Sequence, residues 1–458
     1  MTRRAAPAAG ASQAAEAFTP ASLARRMRGL AGPLRGLQLC VAFSGGADST
    51  ALLAALATLR ARHHLVLRAL HVNHHLQPAA GAMARAARAC ARRLGVPCQV
   101  LDAPVRLSRG ESPEAAARAV RYAALRARLH VGEWLVLAQH QDDQVESLLL
   151  QLLRGAGVAG LAAMPERAGP LLRPLLSVTR TQLQAYLRRR SLAWSEDPSN
   201  ADERYGRNFL RLKVMPLLRE RWPGLGVTLS RSAALAAEAQ QLLAARADVA
   251  LLDAVDGEAL RVTVLRRLEP ADRRNALRRW LQLRGLPMPD QRRLQELAGP
   301  LLYSRHDAQP FMRWPGALVR RHGDRLHAVA ESAAAAAAPA PKMLRWDWLR
   351  EPQLALPSGG VLELRADPHG ELLRAALPAR VRVAFRAADG SVAGHPGGRR
   401  LKRVLQQQAL PPWQRRAVPL LYAGSRLLAA GERWQASAMR AESQAGRATR
   451  CRLVWRQN

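Results

Sequence analysis

Apolar positions in the first half of the chain alternate between two periods. Residues 37–43, 65–72, 99–101 and 134–138 are short apolar runs of the length of single buried strands. Between and after them, residues 51–59, 79–94, 114–129 and 141–154 carry apolar side chains at helical spacing. Strands of this kind separated by helices predict a parallel sheet covered on both faces. Ligands of such sheets sit at the carboxyl ends of the strands. Three polar clusters fall at such ends, at 44–49, 71–75 and 139–146.

The pattern then loosens. Glycines at 155, 157 and 160 break the helix after Arg154, a Pro-rich crossing spans 170–176, and a helix is predicted over 179–190. Residues 194–211 turn from acidic to basic and run into a helix expected to end before Pro216. Past Trp222-Pro223-Gly224, residues 229–283 are rich in Ala, Leu and Arg with helical periodicity and read as a separate helical domain. The stretch SAAAAAAPAP at 332–341 is a linker. Beyond it come short alternating strands such as 381–385, turn residues Asp389-Gly390, a basic loop at 394–403 and a Pro-rich basic turn at 410–416. The division is an N-terminal extension at 1–35, an α/β domain at 36–225, a helical domain at 226–331, the linker at 332–342 and a C-terminal α+β domain at 343–458.

The first polar cluster, Ser44-Gly45-Gly46-Ala47-Asp48-Ser49, joins a buried strand to a helix. Glycines there let the backbone approach a ligand, and a helix start offers unsatisfied N–H donors with partial positive charge, which suits a phosphate. In the third cluster, Asp143 and Glu146 are three apart and share one helical face. Taken alone, Asp142 and Asp143 do no more than complement the helix dipole; opposite a phosphate loop, the carboxylates suit magnesium or a cationic substrate group. The second cluster, His71 to His75, lacks ligand spacing for zinc and reads instead as a loop contacting a base through backbone and His71. Arg118, Arg121 and Tyr122 share one side of a helix, either as a solvated face or as phosphate donors.

Composition narrows the class. At about 150 residues per domain, 458 residues make two to four domains, and 48% hydrophobic content suffices for ordinary cores. No charge-free run reaches the roughly 18 residues of a membrane span, and the first twenty residues read as a disordered tail. The four cysteines form no CxxC pair, which argues against zinc ribbons and iron–sulfur clusters and suggests a reducing, cytoplasmic setting. Only three of 70 basic residues are lysine, but arginine bias creates no net charge; the +35 excess points to a polyanion, nucleic acid foremost.

With these features together, SGGADS (44–49), HVNHHL (71–76), ESPEAAARAVRY (111–122) and HQDDQVES (140–147) resemble the N-type ATP pyrophosphatase, or PP-loop, superfamily. RGAGVAGLAAM (154–164), RPLL (173–176) and EDPSN…RN..R (196–211) narrow the resemblance to the tRNA(Ile)-lysidine synthetase family. RRLKRVLQQQALPPWQRRAVPLLY (399–422) is similar to that family's distal tRNA-binding domain. The match spans about 37–225 and 380–435 and departs at His75, Gln139 and Ser147, where glycine, histidine and threonine are frequent.

The resemblance implies an α/β fold: a Rossmann-like PP-loop domain, a helical tRNA-contacting domain and a small α+β tRNA-binding domain. It implies ATP-dependent ligation of L-lysine to C2 of the wobble cytidine of tRNA(Ile) with a CAU anticodon, through an adenylated intermediate. Carried over by residue, ATP would bind at Ser44, Gly45, Gly46, Ala47, Asp48, Ser49 and His71, and Mg²⁺ at Asp48 and Asp143. Asp48, Arg121, His140, Asp143, Glu146 and Arg207 would be catalytic, with Arg211 a further phosphate or cytosine contact. Asn208 would fix local backbone. Distal tRNA contacts would be Arg399, Arg400, Lys402, Arg403, Trp413, Arg415 and Arg416. A homodimer is left open. The rival readings are another PP-loop tRNA ligase or thiolase, and a basic RNA-binding protein with a vestigial nucleotide site.

Overall fold

The computed structural model describes residues 17–456 apart from 75–79, 106–112, 197–200, 306–307, 309, 332–342, 349, 357–359, 371, 375–376, 387–391, 393–414, 416–417, 433 and 437–449. The first sixteen residues, His75, the 332–341 linker and all the distal tRNA contacts except Arg415 therefore lie outside the described residues. The chain divides into two compact units, Met1–Leu243 and Ala244–Asn458.

The first unit follows the strand–helix alternation. Its elements are α1 (Pro20–Ala31), β1 (Gln38–Ala42), α2 (Ala47–His63), β2 (Val66–Asn73), α3 (Ala80–Arg93), β3 (Cys98–Asp102), α4 (Pro113–Arg126), β4 (Trp134–Val136) and α5 (Gln141–Leu153). Then come α6 (Val158–Leu161), β5 (Arg167–Ala168), β6 (Leu171–Leu172) and α7 (Arg180–Arg189). The sheet order is β3-β2-β1-β4-β6-β5, parallel throughout except for the edge pair β5–β6. Gln38 stands opposite Val66, Leu39 opposite Trp134, and Ala69 opposite Cys98. Leu39, Cys40 and Val41 of the central strand are fully buried, as expected for a strand covered on both faces.

Helix α2 is apolar almost all round, and Ala51 to Leu56 are sealed into the main core. Part of that seal comes from α1, whose Leu23 and Met27 join Phe18 in the same core. Phe18 packs edge-on against Tyr186 of α7, with ring centroids 5.2 Å apart. Residues 18–34, placed in the N-terminal extension by sequence, thus supply core side chains. Thr19 caps α1 through a reciprocal bond with Ser22, and Pro20 occupies the first turn, where a missing N–H costs nothing.

The helix expected to stop before Pro216 does not stop there. α8 (Gly206–Phe209) passes into a π-helical turn, Leu210–Val214, and continues as α9 (Met215–Arg221). The wider turn re-phases the hydrogen-bond ladder, so Pro216 falls in the first turn of α9, where its lack of an N–H is tolerated. A 30-residue helix, α10 (Leu225–Ala254), follows.

The second unit has helices Val262–Arg267 and Pro270–Leu283 within the Ala/Leu/Arg stretch, a further helix Gln291–Glu296 beyond it, and also a five-stranded antiparallel sheet. Its main strands, Ala317–His322 and Arg325–Ala330, pack Val319 and Leu326 against Leu277, Trp280 and Leu281. The strand pattern is hard to see in LVRRH because Arg321 itself is buried, its guanidinium donating to carbonyls of Leu302, Ser304 and Gly323. Beyond residue 343 the described residues form two further antiparallel sheets, of five and four strands, around Trp346 and Trp348.

Candidate active site

The loop between β1 and α2 is closed by its own side chains. Ser49 Oγ donates to Gly46 O at 3.1 Å, Gly46 N–H donates to Ser44 Oγ at 3.3 Å, and the two hydroxyls meet at 3.0 Å. Because the Ser49 proton is committed to the carbonyl, Ser44 is the donor between them. Gly46 caps α2 without a side-chain bond, so the N–H groups of Ala47, Asp48 and Ser49 have no intrahelical acceptor. Gly45 has φ +83°, and a Cβ there would stand 3.3 Å from Ala87 Cβ on α3. Its carbonyl accepts from Ser195 N–H at 2.9 Å, which ties the loop to the segment beyond α7. This is a preformed anion cradle at a helix N-terminus.

Beside it, the N-terminus of α5 gathers charge. His140 caps the helix: Asp142 N–H donates to its Nδ1 at 3.2 Å, and His140 N–H donates to Asp143 Oδ2 at 3.1 Å. His140 Nε2 lies 3.4 Å from Asp48 Oδ2 and 3.5 Å from Asp143 Oδ2, linking the phosphate loop to α5. Burial alone would lower the His140 pKa, but the carboxylates of Asp143, Asp48 and Asp142 prevail and raise it to about 9. Burial works the other way on Asp48, and His140 with Arg180 and Arg211 more than offsets it, so that carboxyl is held below its ordinary value. Asp48 Oδ1 is nevertheless buried without a hydrogen-bond partner.

Asp143 and Glu146 converge on one guanidinium. Arg211 Nε donates to Glu146 Oε1 at 2.7 Å, while its Nη2 reaches Glu146 Oε2 at 2.9 Å and Asp143 Oδ1 at 3.2 Å. Glu146 is 1% exposed; burial raises its pKa against the pull of Arg211, whose own pKa the carboxylate raises. Arg207 Nε stands 3.5 Å from Glu146 Oε2, and its Nη2 donates to Ser147 Oγ at 2.8 Å. Asn208 donates to Asp202 O at 2.9 Å.

On the other side of the loop, His71 Nδ1 donates to Phe43 O at 2.9 Å, and burial lowers its pKa, leaving Nε2 an acceptor. Arg121 donates to His74 Nε2 at 3.4 Å, and its charge is felt at His71. The structure thus brings Ser44 to Ser49, His140, Asp143, Glu146 and Arg207 together, with His71 and Arg121 on the β2 side. Arg415, of the second unit, is half-buried, and its pKa is lowered by burial and by Arg386.

Sequence reasoning assigned no role to three neighbours. Arg173, buried, donates to Gln139 Oε1 at 2.5 Å and to Pro165 O at 2.8 Å, and Gln144 clasps Met164 through both its amide atoms. Arg180, at the start of α7, donates its N–H to Asp142 Oδ2 at 3.4 Å. Arg173 stands in the quoted RPLL motif, the one signal that could have found it.

A family model for the PP-loop domain matches residues 20–218, one for the TilS substrate binding domain matches 260–327, and one for the TilS substrate C-terminal domain matches 381–455. The tRNA(Ile)-lysidine synthase of Alkalilimnicola ehrlichii is 44% identical, with 90% of this chain and 92% of that one aligned. The chain belongs to the tRNA(Ile)-lysidine synthase family. Members from Methylococcus capsulatus and Coxiella burnetii are 40% and 37% identical, over 87% and 90% of this chain and 92% of each relative. Among solved structures, a U34-tRNA thiolase of Methanococcus maripaludis is similar at a TM-score of 0.39 and 14% identity, over 46% of this chain and 76% of that one. As in other members of this synthase family, the PP-loop domain makes the chain a user of ATP.

Proposed function

We propose that this ligase joins L-lysine to the wobble cytidine of tRNA(Ile) with a CAU anticodon, in two steps at the site between α2 and α5. The observation that carries the reading is the convergence of Asp143 and Glu146 on one cation, joined through His140 to the phosphate cradle.

In the first step the cradle holds the triphosphate of ATP. The N–H groups at the start of α2 donate to phosphate oxygens and are aimed before the ligand arrives, while the Ser44–Ser49 hydroxyl chain holds the turn in place. The cytosine 2-oxygen attacks the α-phosphorus, the bond to the bridging oxygen breaks, and pyrophosphate leaves. Charge growing on that leaving group is stabilised by the same donors. His71 offers its acceptor Nε2 to the nucleotide base. Asp48 Oδ1, buried and without a protein partner, fits a divalent cation held with Asp143. One or two carboxylates suffice for magnesium, which keeps its waters and phosphate oxygens; among the described residues no larger His/Cys/Asp/Glu cage exists. Mg²⁺, when bound, would supply charge neutralisation for the phosphates.

In the second step the Asp143–Glu146 pair receives the lysine ammonium where Arg211 now lies between the carboxylates. The amine must lose its proton before attack at C2; a carboxylate raised by burial, as Glu146 is, is suited to take it. AMP then departs with its oxygen, and lysidine is formed.

The test is exchange of labelled pyrophosphate into ATP, without lysine. Exchange that requires CAU-anticodon tRNA(Ile) supports adenylation of the tRNA; exchange that requires lysine instead would mean that lysine is the activated partner, and the mechanism would be wrong.

A further inference from the structure

Tyr303, in the second unit, follows the π-helical turn Leu297–Leu301 and is 53% exposed. Two guanidiniums lie against its ring, Arg266 at 5.0 Å and Arg273 at 5.3 Å from the centroid. Neither is a loose surface side chain. Arg273 is buried and donates to the carbonyls of Leu265, Arg266, Leu268 and Ala298. Arg266 donates to Leu302 O through both Nε and Nη2, and Tyr303 Oη reaches Arg266 O at 3.5 Å. The tyrosine is therefore mounted on cations that are themselves locked to the backbone. More than half of the residue is nevertheless open to solvent.

A ring held against two anchored guanidiniums has less freedom to lose on binding than a loose surface side chain. Its underside is positive, and the exposed Arg267 adjoins Arg266 in sequence. Flat π-surfaces backed by arginine suit the face of an unstacked base, whose phosphates the same arginines attract. Phe311, 62% exposed, has the Arg320 guanidinium at 6.0 Å from its ring centroid, a longer approach than either arginine makes to Tyr303.

We propose that Tyr303 is a stacking platform for an unpaired nucleotide of the tRNA substrate, read through its π-face rather than through its sequence. The inference rests on the reading of the chain as an enzyme of tRNA(Ile), and it places a base contact within residues 260–327, matched by the substrate binding domain.

The test uses the full chain and a tRNA(Ile) transcript, with Tyr303 replaced by Ala, Leu, Phe or Trp. Tyr303→Ala and Tyr303→Leu should weaken tRNA binding about tenfold, the scale of one lost base stack, while Tyr303→Phe and Tyr303→Trp stay within about twofold. The slope of log K against log salt should not change, since no phosphate contact is removed. KM for tRNA should rise with kcat and ATP binding unaltered. Wild-type affinity in Tyr303→Leu, or a loss in Tyr303→Phe as large as in Tyr303→Ala, would overturn the proposal. A wild-type chain that fails to bind the transcript at all would overturn the functional reading as well; binding that ignores Tyr303 would remove this platform alone.

Discussion

Glu146 and Arg211 are unequal partners. Glu146 is 1% exposed and the Arg211 side chain 24%. Removing the arginine leaves a buried carboxylate with Arg207, at 3.5 Å, as its remaining cation, whereas removing the glutamate leaves a cation that reaches water and Asp143. We predict that Arg211→Ala destabilises the chain by about 3 kcal/mol or more, and Glu146→Ala by about half as much, in urea unfolding. Equal losses would mean that the pair is not asymmetrically desolvated. At Gly45, φ +83° and the nearness of Ala87 act together. Gly45→Ala should cost about 1–2 kcal/mol and weaken ATP binding, measured by unfolding and by calorimetry.

The ion pair of Glu133 with Arg68 gives the pH dependence. Burial opposes ionisation of Glu133, but the Arg68 fork, at 2.5 and 2.6 Å, and His130 N–H win and lower its pKa. A carboxyl with a depressed folded pKa contributes stability above its unfolded value and loses it as pH falls through the folded one. The Tm gap between wild type and Glu133→Gln should therefore be constant near neutrality and shrink below the model-peptide value of about 4.3. A gap that widens with acid would reverse the assignment.

At the scale of elements, the sequence shows most where chemistry is local. The cradle at 44–49 is contiguous, and β1, β2, β3 and β4 lie within two residues of the apolar runs that mark them. The α5 carboxylates are legible by their spacing, but their partner is not: Arg211 lies 65 positions beyond Glu146, and no periodicity announces such a pair. The sheet of the second unit is obscured for a related reason, since Arg321 is inside and satisfied by carbonyls contributed from other segments. Pro216 misleads because the π turn ahead of it cannot be read from composition. Pro216→Ala should change the unfolding free energy by less than about 1 kcal/mol, whereas Leu218→Pro, two residues further into α9, should cost about 3 kcal/mol or more.

At the scale of the molecule, the excess of 70 basic over 35 acidic residues is the property no single site explains. A chain that neutralises several phosphates releases their counterions, so affinity for tRNA should fall steeply and linearly on a log–log plot against salt. Binding that is flat between low and physiological salt would separate the charge from RNA recognition. What charge and fold leave open is the amino acid: a PP-loop, a paired-carboxylate site and a basic surface would serve several tRNA ligases, and lysine rests on the family and on the cation-binding geometry of Asp143 and Glu146.

The most direct measurement is therefore incorporation of labelled lysine into a CAU-anticodon tRNA(Ile) transcript by the purified chain with ATP. The expected result is one lysine per tRNA, AMP and pyrophosphate released in equal amounts, and no incorporation by Asp143→Asn or Glu146→Gln at unchanged tRNA binding. Robust binding of the same transcript by the wild-type chain with no lysine incorporated would contradict it.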